Sequence, residues 1–354
     1  MATDQRAEVR SQKSEVRSQR SEVRGQKSEV RGSSWEKMMS TSEPTRSKPR
    51  RWRRILKRLS ITLLVLAVVL IFGVFPYLVA LLVTNAGTRP MDKQLTETPA
   101  TFGAEFKDVQ FQTSDGVTIS GWLLPSKDKR VTIIYSHGLF RSRRELLKRA
   151  VDLWKLGYGA LLYDSRNHGE SGHSKVSLGY FERLDAEAGV KFLREEVRTA
   201  DRIALFGISM GAAAALLAAA ETPEVAAVIA DSSFLSFRDT TDHHVKILFR
   251  VSSFPLAGEL RFFIERRAGF DGDKLDALAA VKQIGDRPVL FIAGAQDKRM
   301  PPEIASRLFD ASSSLKRDIL IVDGDETRIH GHAYQAASKV YVERIAQFLD
   351  GTLR

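Results

Sequence analysis

Beyond residue 105 the chain alternates between two hydrophobic rhythms. Residues 106–112 and 117–124 alternate apolar and polar side chains around Ser114-Asp115-Gly116, which predicts a β-hairpin. After it come short apolar segments at 131–136, 160–164, 202–207, 225–231, 288–294 and 319–322, each read as a strand buried on both faces. Helical patterns separate them, at 144–156, 183–197, 210–220, 302–309 and 333–349. The first of these sets Leu146, Ala150, Leu153 and Trp154 on one stripe and ends at Gly157, where a helix C-cap fits. The last aligns Tyr334, Ala337, Tyr341, Ile345 and Phe348. Strands alternating with helices predict an α/β fold: about eight strands, mostly parallel, with helices on both faces and an antiparallel hairpin at the start. In such sheets the ligand site lies beyond the carboxyl ends of the strands, so the chemistry belongs to residues that follow strands directly.

The first hundred residues follow other rules. Residues 10–30 repeat RSQKSEV, RSQRSEV and RGQKSEV, with one apolar residue per unit (Val16, Val23, Val30). A coiled-coil seam needs two apolar positions per heptad, so segment 1–47 is expected to be disordered. Such repetition also resembles translated repetitive DNA upstream of the true start, with Met38 or Met39 as initiators. A basic juxtamembrane stretch, 48–60, precedes an uncharged apolar run, 61–83. Those residues span roughly 34 Å as a helix, enough for a ~30 Å hydrocarbon layer. The run is longer than the apolar core of a cleaved signal peptide and lacks a small-x-small cleavage site, which favours a single uncleaved anchor. A linker, 84–104, joins it to the body at 105–354.

Charge sharpens this division. The chain carries a net +11, but residues 1–60 hold 17 basic and 7 acidic groups, leaving a net +1 on the remainder. A balanced body removes the main argument for nucleic-acid binding. The basic flank on the N-terminal side places the N-terminus in the cytoplasm and the body outside it, by the positive-inside rule. There is no cysteine, hence no disulfide, thiolate nucleophile or cysteine zinc site.

Gly207-Ile-Ser209-Met-Gly211 directly follows one predicted strand and opens an alanine-rich helix, the setting of a nucleophile elbow. Small residues at 207 and 211 let backbones approach closely around a sharply turned Ser209. A serine hydroxyl needs a base to take its proton, and the base needs an acid to orient it. Asp297 follows the strand PVLFIAG and is preferred as the acid over Asp323 and Asp325, which also follow a strand. The last loop offers His330 and His332; His330 is favoured, because His332 adjoins the terminal helix. The order Ser209, Asp297, His330 is that of an α/β-hydrolase triad. The backbone N–H groups of Leu139 and Met210 are the natural pair for an oxyanion, each such donor being worth about 3–4 kcal/mol.

The stretches SDGVTISGWLLP, HGLF, LLYDSRNHGESG, GISMGA, AGAQDKRMP and HGHAYQAASKVYVERIAQFLD follow one another over most of 106–350. Together they resemble the α/β-hydrolase superfamily, within it the bacterial serine esterase and serine-aminopeptidase-like branch. The resemblance implies Ser209 as nucleophile, Asp297 as acid, Leu139 and Met210 as oxyanion donors, and His330, three residues before Ala333-Tyr334, as base. His332 stays the alternative base. It also implies that Asp164, Arg166, Asn167 and His168 form a structural turn, and that 235–285 inserts a small cap. His137 reads as shaping its loop. Adjacent His243 and His244 point to different sides of a helix or strand and carry no metal-ligand spacing.

These features describe a membrane-anchored serine hydrolase without metal or cofactor, acting on a small-molecule or lipid-like acyl substrate. An acyltransferase on the same triad and a non-catalytic membrane-tethered binding protein are the alternatives.

Overall fold

A computed structural model describes residues 49–198 and 201–353; the seven-residue repeat, Met38 and Met39 lie outside the described residues. The chain divides into two units, Met1–Leu66 and Ala67–Arg354. Helix α1, Pro49–Val69, runs through a π-helical turn, Leu70–Val74, into α2, Phe75–Thr84. Pro76 has no N–H to offer the carbonyl four residues before it, which accounts for the widened turn just ahead of it. From Arg51 to Thr84 this forms one apolar helix of 34 residues, long enough to cross a membrane.

The second unit is built on an eight-stranded sheet. The hairpin strands β1, Lys107–Gln112, and β2, Thr118–Leu124, pair antiparallel, and β2 also runs antiparallel to β4, Gly159–Tyr163. The remainder is parallel: β3, Val131–Ser136; β5, Arg202–Ile208; β6, Val225–Asp231; β7, Val289–Gly294; and β8, Asp318–Val322. The spatial order is β1-β2-β4-β3-β5-β6-β7-β8. Every residue of β3, β4 and β7 is buried, as strands covered on both faces must be.

Two cores result, one on each face. Helices α3, Leu147–Lys155, and α10, Ser338–Thr352, close one side with Leu153, Tyr341, Ile345 and Phe348. Helices α4, Glu182–Glu195, and α5, Met210–Glu221, close the other with Leu193, Leu216 and the small side chains of Ala212, Ala213 and Ala215. Ten consecutive residues of α5 are buried, because alanines let that helix lie close to the sheet.

Two predicted helices differ in detail. The first begins as a 3-10 turn, Arg143–Leu146, before α3. The last is interrupted: a one-turn helix, Ala333–Ala336, is separated from α10 by Ala337 in a non-helical conformation. Tyr334 there donates to Asp152 at 2.6 Å and is drawn onto α3. Between β6 and β7 lie α6, Phe237–Phe249, α7, Leu256–Ala268, and α8, Ala277–Ile284. Helices α6 and α7 form the inserted cap, whereas α8 packs on α5 and on α9, Pro302–Ala311, within the helical layer.

Candidate active site

The register of the sheet creates the site. Ser136 at the end of β3 lies opposite Gly207 near the end of β5, so the loops leaving these strands start side by side. At the second of them Ser209 adopts φ 55° and ψ −117°, a strained turn between β5 and α5. Its glycines are steric necessities. A Cβ on Gly207 would sit 2.0 Å from the Gly211 carbonyl oxygen, and one on Gly211 would sit 2.1 Å from that of Ser136.

His330 reaches this turn from the loop after β8. Its Nε2 lies 2.8 Å from Ser209 Oγ, and its Nδ1 lies 2.7 Å from Asp297 Oδ2. With Nδ1–H donating to the carboxylate, Nε2 is left to accept from the serine hydroxyl. Asp297 is buried just after β7, and its Oδ1 accepts the backbone N–H groups of Arg299 and Met300 at 2.9 and 3.0 Å. Burial opposes its charge, but the bond from His330, the imidazole's field and the two amides outweigh that and lower its pKa.

The rivals sit elsewhere. Asp323 accepts the adjacent Gly324 N–H, and Asp325 pairs with Arg328 on an exposed turn. Gly331, at φ 76°, reverses the chain so that His332 occupies the N-cap position of the one-turn helix. The N–H groups of Leu139 and Met210 have no hydrogen-bond partner among the described residues. Met210 also begins α5, whose dipole adds partial positive charge at that point.

His137 is a strut of the Leu139 loop. Its Nε2 accepts from Ser165 N–H at 2.9 Å, so Nδ1 carries the hydrogen toward the Gly138 carbonyl at 2.7 Å. Burial holds its pKa at about 3, which keeps the ring neutral. Asp164 accepts the N–H groups of Arg143 and Glu170, a closed turn as expected. His243 and His244 bond backbone carbonyls of Lys298 and Thr240, and no metal-binding cluster occurs among the described residues.

Two supports escaped the sequence reading. Glu145 Oε2 accepts from Gly138 N–H at 2.7 Å, fixing the peptide ahead of Leu139. Arg149, only 2% exposed, donates to the Gly331 carbonyl at 2.9 Å, with its guanidinium 4.8 Å from the Tyr334 ring centre. Arg149 lies three residues after Leu146, on the apolar stripe, which was the available signal. Beside Ser209 and His330 opens a cavity of about 650 Å³, whose walls include Arg89, Arg141, Arg299, Arg328 and Glu145.

Comparison with known proteins agrees with this architecture. The family described as serine aminopeptidase, S33 matches residues 127–257. The uncharacterized protein YqkD of Bacillus subtilis is 30% identical over 237 residues, 66% of this chain and 76% of that protein. The chain belongs to the α/β-hydrolase superfamily. Among solved α/β-hydrolases, the Pyrococcus furiosus esterase Pf2001 superposes with a TM-score of 0.62 at 27% identity, covering 76% of this chain and 99% of that one. The polyketide transferase ATR5 of Stachybotrys chlorohalonatus is 30% identical over 216 residues, 60% of this chain and 68% of that protein. The superfamily and these neighbours make a hydrolase the coarse assignment.

Proposed function

We propose that the chain is a membrane-anchored serine hydrolase that cleaves a carboxylic ester, or a thioester or amide, through an acyl-enzyme. The observation that carries this reading is the 2.8 Å approach of His330 Nε2 to Ser209 Oγ while Asp297 holds Nδ1. Ser209 Oγ attacks the carbonyl carbon as its proton passes to His330. The resulting oxyanion takes hydrogen bonds from Leu139 and Met210. Collapse expels the alcohol, thiol or amine with the proton from His330, leaving acyl-Ser209. Water, deprotonated by His330, then attacks the acyl group and releases a carboxylic acid and free Ser209.

A fluorophosphonate probe should label the wild type in membranes and leave Ser209→Ala unlabelled. Equal labelling of the variant rejects Ser209 as the nucleophile. The transferase name of one relative supports a second reading, in which an alcohol or amine replaces the water. Turnover with competing acceptors separates the two by the product released. The apolar helix supports anchoring, and the basic stretch before it supports a cytoplasmic N-terminus with the body outside. Reporter fusions at the C-terminus test that orientation.

A further inference from the structure

The cap carries an apolar tip with no core to join. Leu248 and Phe249 at the end of α6, Val251 and Phe254 in the α6–α7 loop and Phe262 on α7 are all exposed, Phe254 to 85%. Several exposed large apolar side chains within one short segment mark an interface. What lies against it is the apolar helix itself. Phe249 packs edge-on against Phe75 with ring centres 5.3 Å apart, and Phe263 does the same with Tyr77 at 5.7 Å.

Polar contacts set a level along that helix. Arg267 of α7 donates to Tyr77 Oη at 3.1 Å and to Thr84 Oγ1 at 3.2 Å. A guanidinium and a tyrosine hydroxyl belong at the headgroup region rather than among acyl chains. Phe75 lies deeper along the helix than Tyr77, on its N-terminal side, and carries Phe249 with it. Leu70, Ile71 and Val74, on the N-terminal side of Phe75, stay exposed, so lipid is the natural neighbour of that part of the helix. Lys246 and Arg250 flank the tip and suit anionic headgroups.

We infer that residues 248–254, with Phe262, dip into the membrane interface, so that the cap is docked on the bilayer beside its own anchor. This rests on reading the 61–83 run as a membrane span. It also puts the catalytic mouth near the headgroups. Arg89, five residues past the helix end at Thr84, lines the cavity beside Ser209.

The absence of cysteine makes the test direct. The full chain carrying Phe254→Cys, Leu248→Cys, Leu70→Cys or Leu315→Cys is labelled with an environment-sensitive fluorophore. Each is reconstituted into phosphatidylcholine–phosphatidylglycerol vesicles containing spin-labelled lipids. Leu315 is 95% exposed and precedes β8, at the amino ends of the parallel strands and away from the carboxyl end of β6 where the cap leaves the sheet, so it reports unquenched background. Quenching at 254 and 248 comparable to that at 70, with none at 315, supports the docking. Strong quenching at 70 with 254 and 248 at the level of 315 overturns it while leaving the anchor intact. Absence of quenching at 70 overturns both. Retained fluorophosphonate labelling shows that each variant has folded.

Discussion

Arg149 on α3 holds the carbonyl of Gly331 at 2.9 Å, so a helix packed on β4 grips the loop that carries His330. The grip acts on position rather than on substrate. Arg149→Met keeps much of the side chain's volume but leaves that carbonyl unpartnered, at a cost of about 1–3 kcal/mol. A loop displaced by an ångström costs on the order of a hundredfold in turnover. Steady-state kinetics should show kcat falling by about that factor with KM nearly unchanged. A purely structural role would lower the amount of active enzyme without that split, as active-site titration would reveal.

Steric demand at the elbow leads to a second expectation. Gly211→Ala would place a methyl group against the Ser136 carbonyl, 2.1 Å from its oxygen, in backbone that cannot move without parting β3 from β5. The destabilisation should exceed about 3 kcal/mol, the upper range for overpacked cores. Thermal melting would register this as a lower Tm or as insoluble protein. Gly258→Ala, where a Cβ meets nothing within 4 Å, is the matched control.

Much of this arrangement was readable in the residues. Continuously apolar segments gave the parallel strands to within a residue or two: β3, β4 and β7 are buried along their whole length, whereas β8, expected to be covered on both faces, is an edge strand that leaves Ile321 41% exposed. The elbow was legible for a related reason: only glycine fits at 207 and 211. The choice between His330 and His332 was not, since one residue of spacing says nothing about which ring faces Ser209. Gly331 decides it through its left-handed φ of 76°. The break at Ala337 left no trace either, because alanine favours helix and the interruption depends on Tyr334 reaching Asp152. Arg149 and Glu145 were hidden by type: charged residues on an amphipathic helix are read as solvated.

The buried histidines make acid stability predictable. The pKa of His137 is held at about 3 by burial, with the neighbouring His168 adding to the effect, against about 6.5 in the unfolded chain. Between those values the unfolded chain binds a proton that the native ring does not. Stability therefore falls as pH drops from about 6.5 toward 3, by up to about 1.4 kcal/mol per pH unit for this group. Urea titrations at successive pH values should show this slope, and His137→Gln should flatten it. A slope unchanged in the variant would assign the acid lability to other groups.

Glu145 offers a test of the Leu139 loop that separates charge from hydrogen bonding. Its Oε2 anchors Gly138 N–H and its Oε1 lies 3.2 Å from Arg141 Nε. Glu145→Gln retains an acceptor for the amide, and Glu145→Ala does not. If the loop must be held for Leu139 to meet an oxyanion, the alanine variant should lose about tenfold or more in kcat, below the full effect of deleting a donor. The glutamine variant should stay within a few-fold of wild type. Equal losses in both would shift the role to the ion pair with Arg141.

The charge of the cavity should appear in substrate preference. Arg89 and Arg141 share Asp92, and Arg328 is held by Asp325 and Gln296. Arg299 is exposed and pairs with no carboxylate among the described residues. Its backbone N–H is fixed by Asp297, so this guanidinium originates two residues from the carboxylate that holds His330. A negative group on the substrate meets an uncompensated cation there, whereas a neutral acyl chain gains nothing from it. Solvent screening limits an exposed pair to about 0.2–1 kcal/mol, or up to roughly fivefold in kcat/KM. Chromogenic esters of a dicarboxylic half-acid and of a neutral acid of equal length should therefore respond differently to Arg299→Ala. The half-acid ester should lose most of that factor, and the neutral ester should be unaffected. Raising the ionic strength should shrink the wild-type preference in the same direction. An equal loss for both esters would mean that Arg299 shapes the loop around Asp297 instead of reading substrate charge.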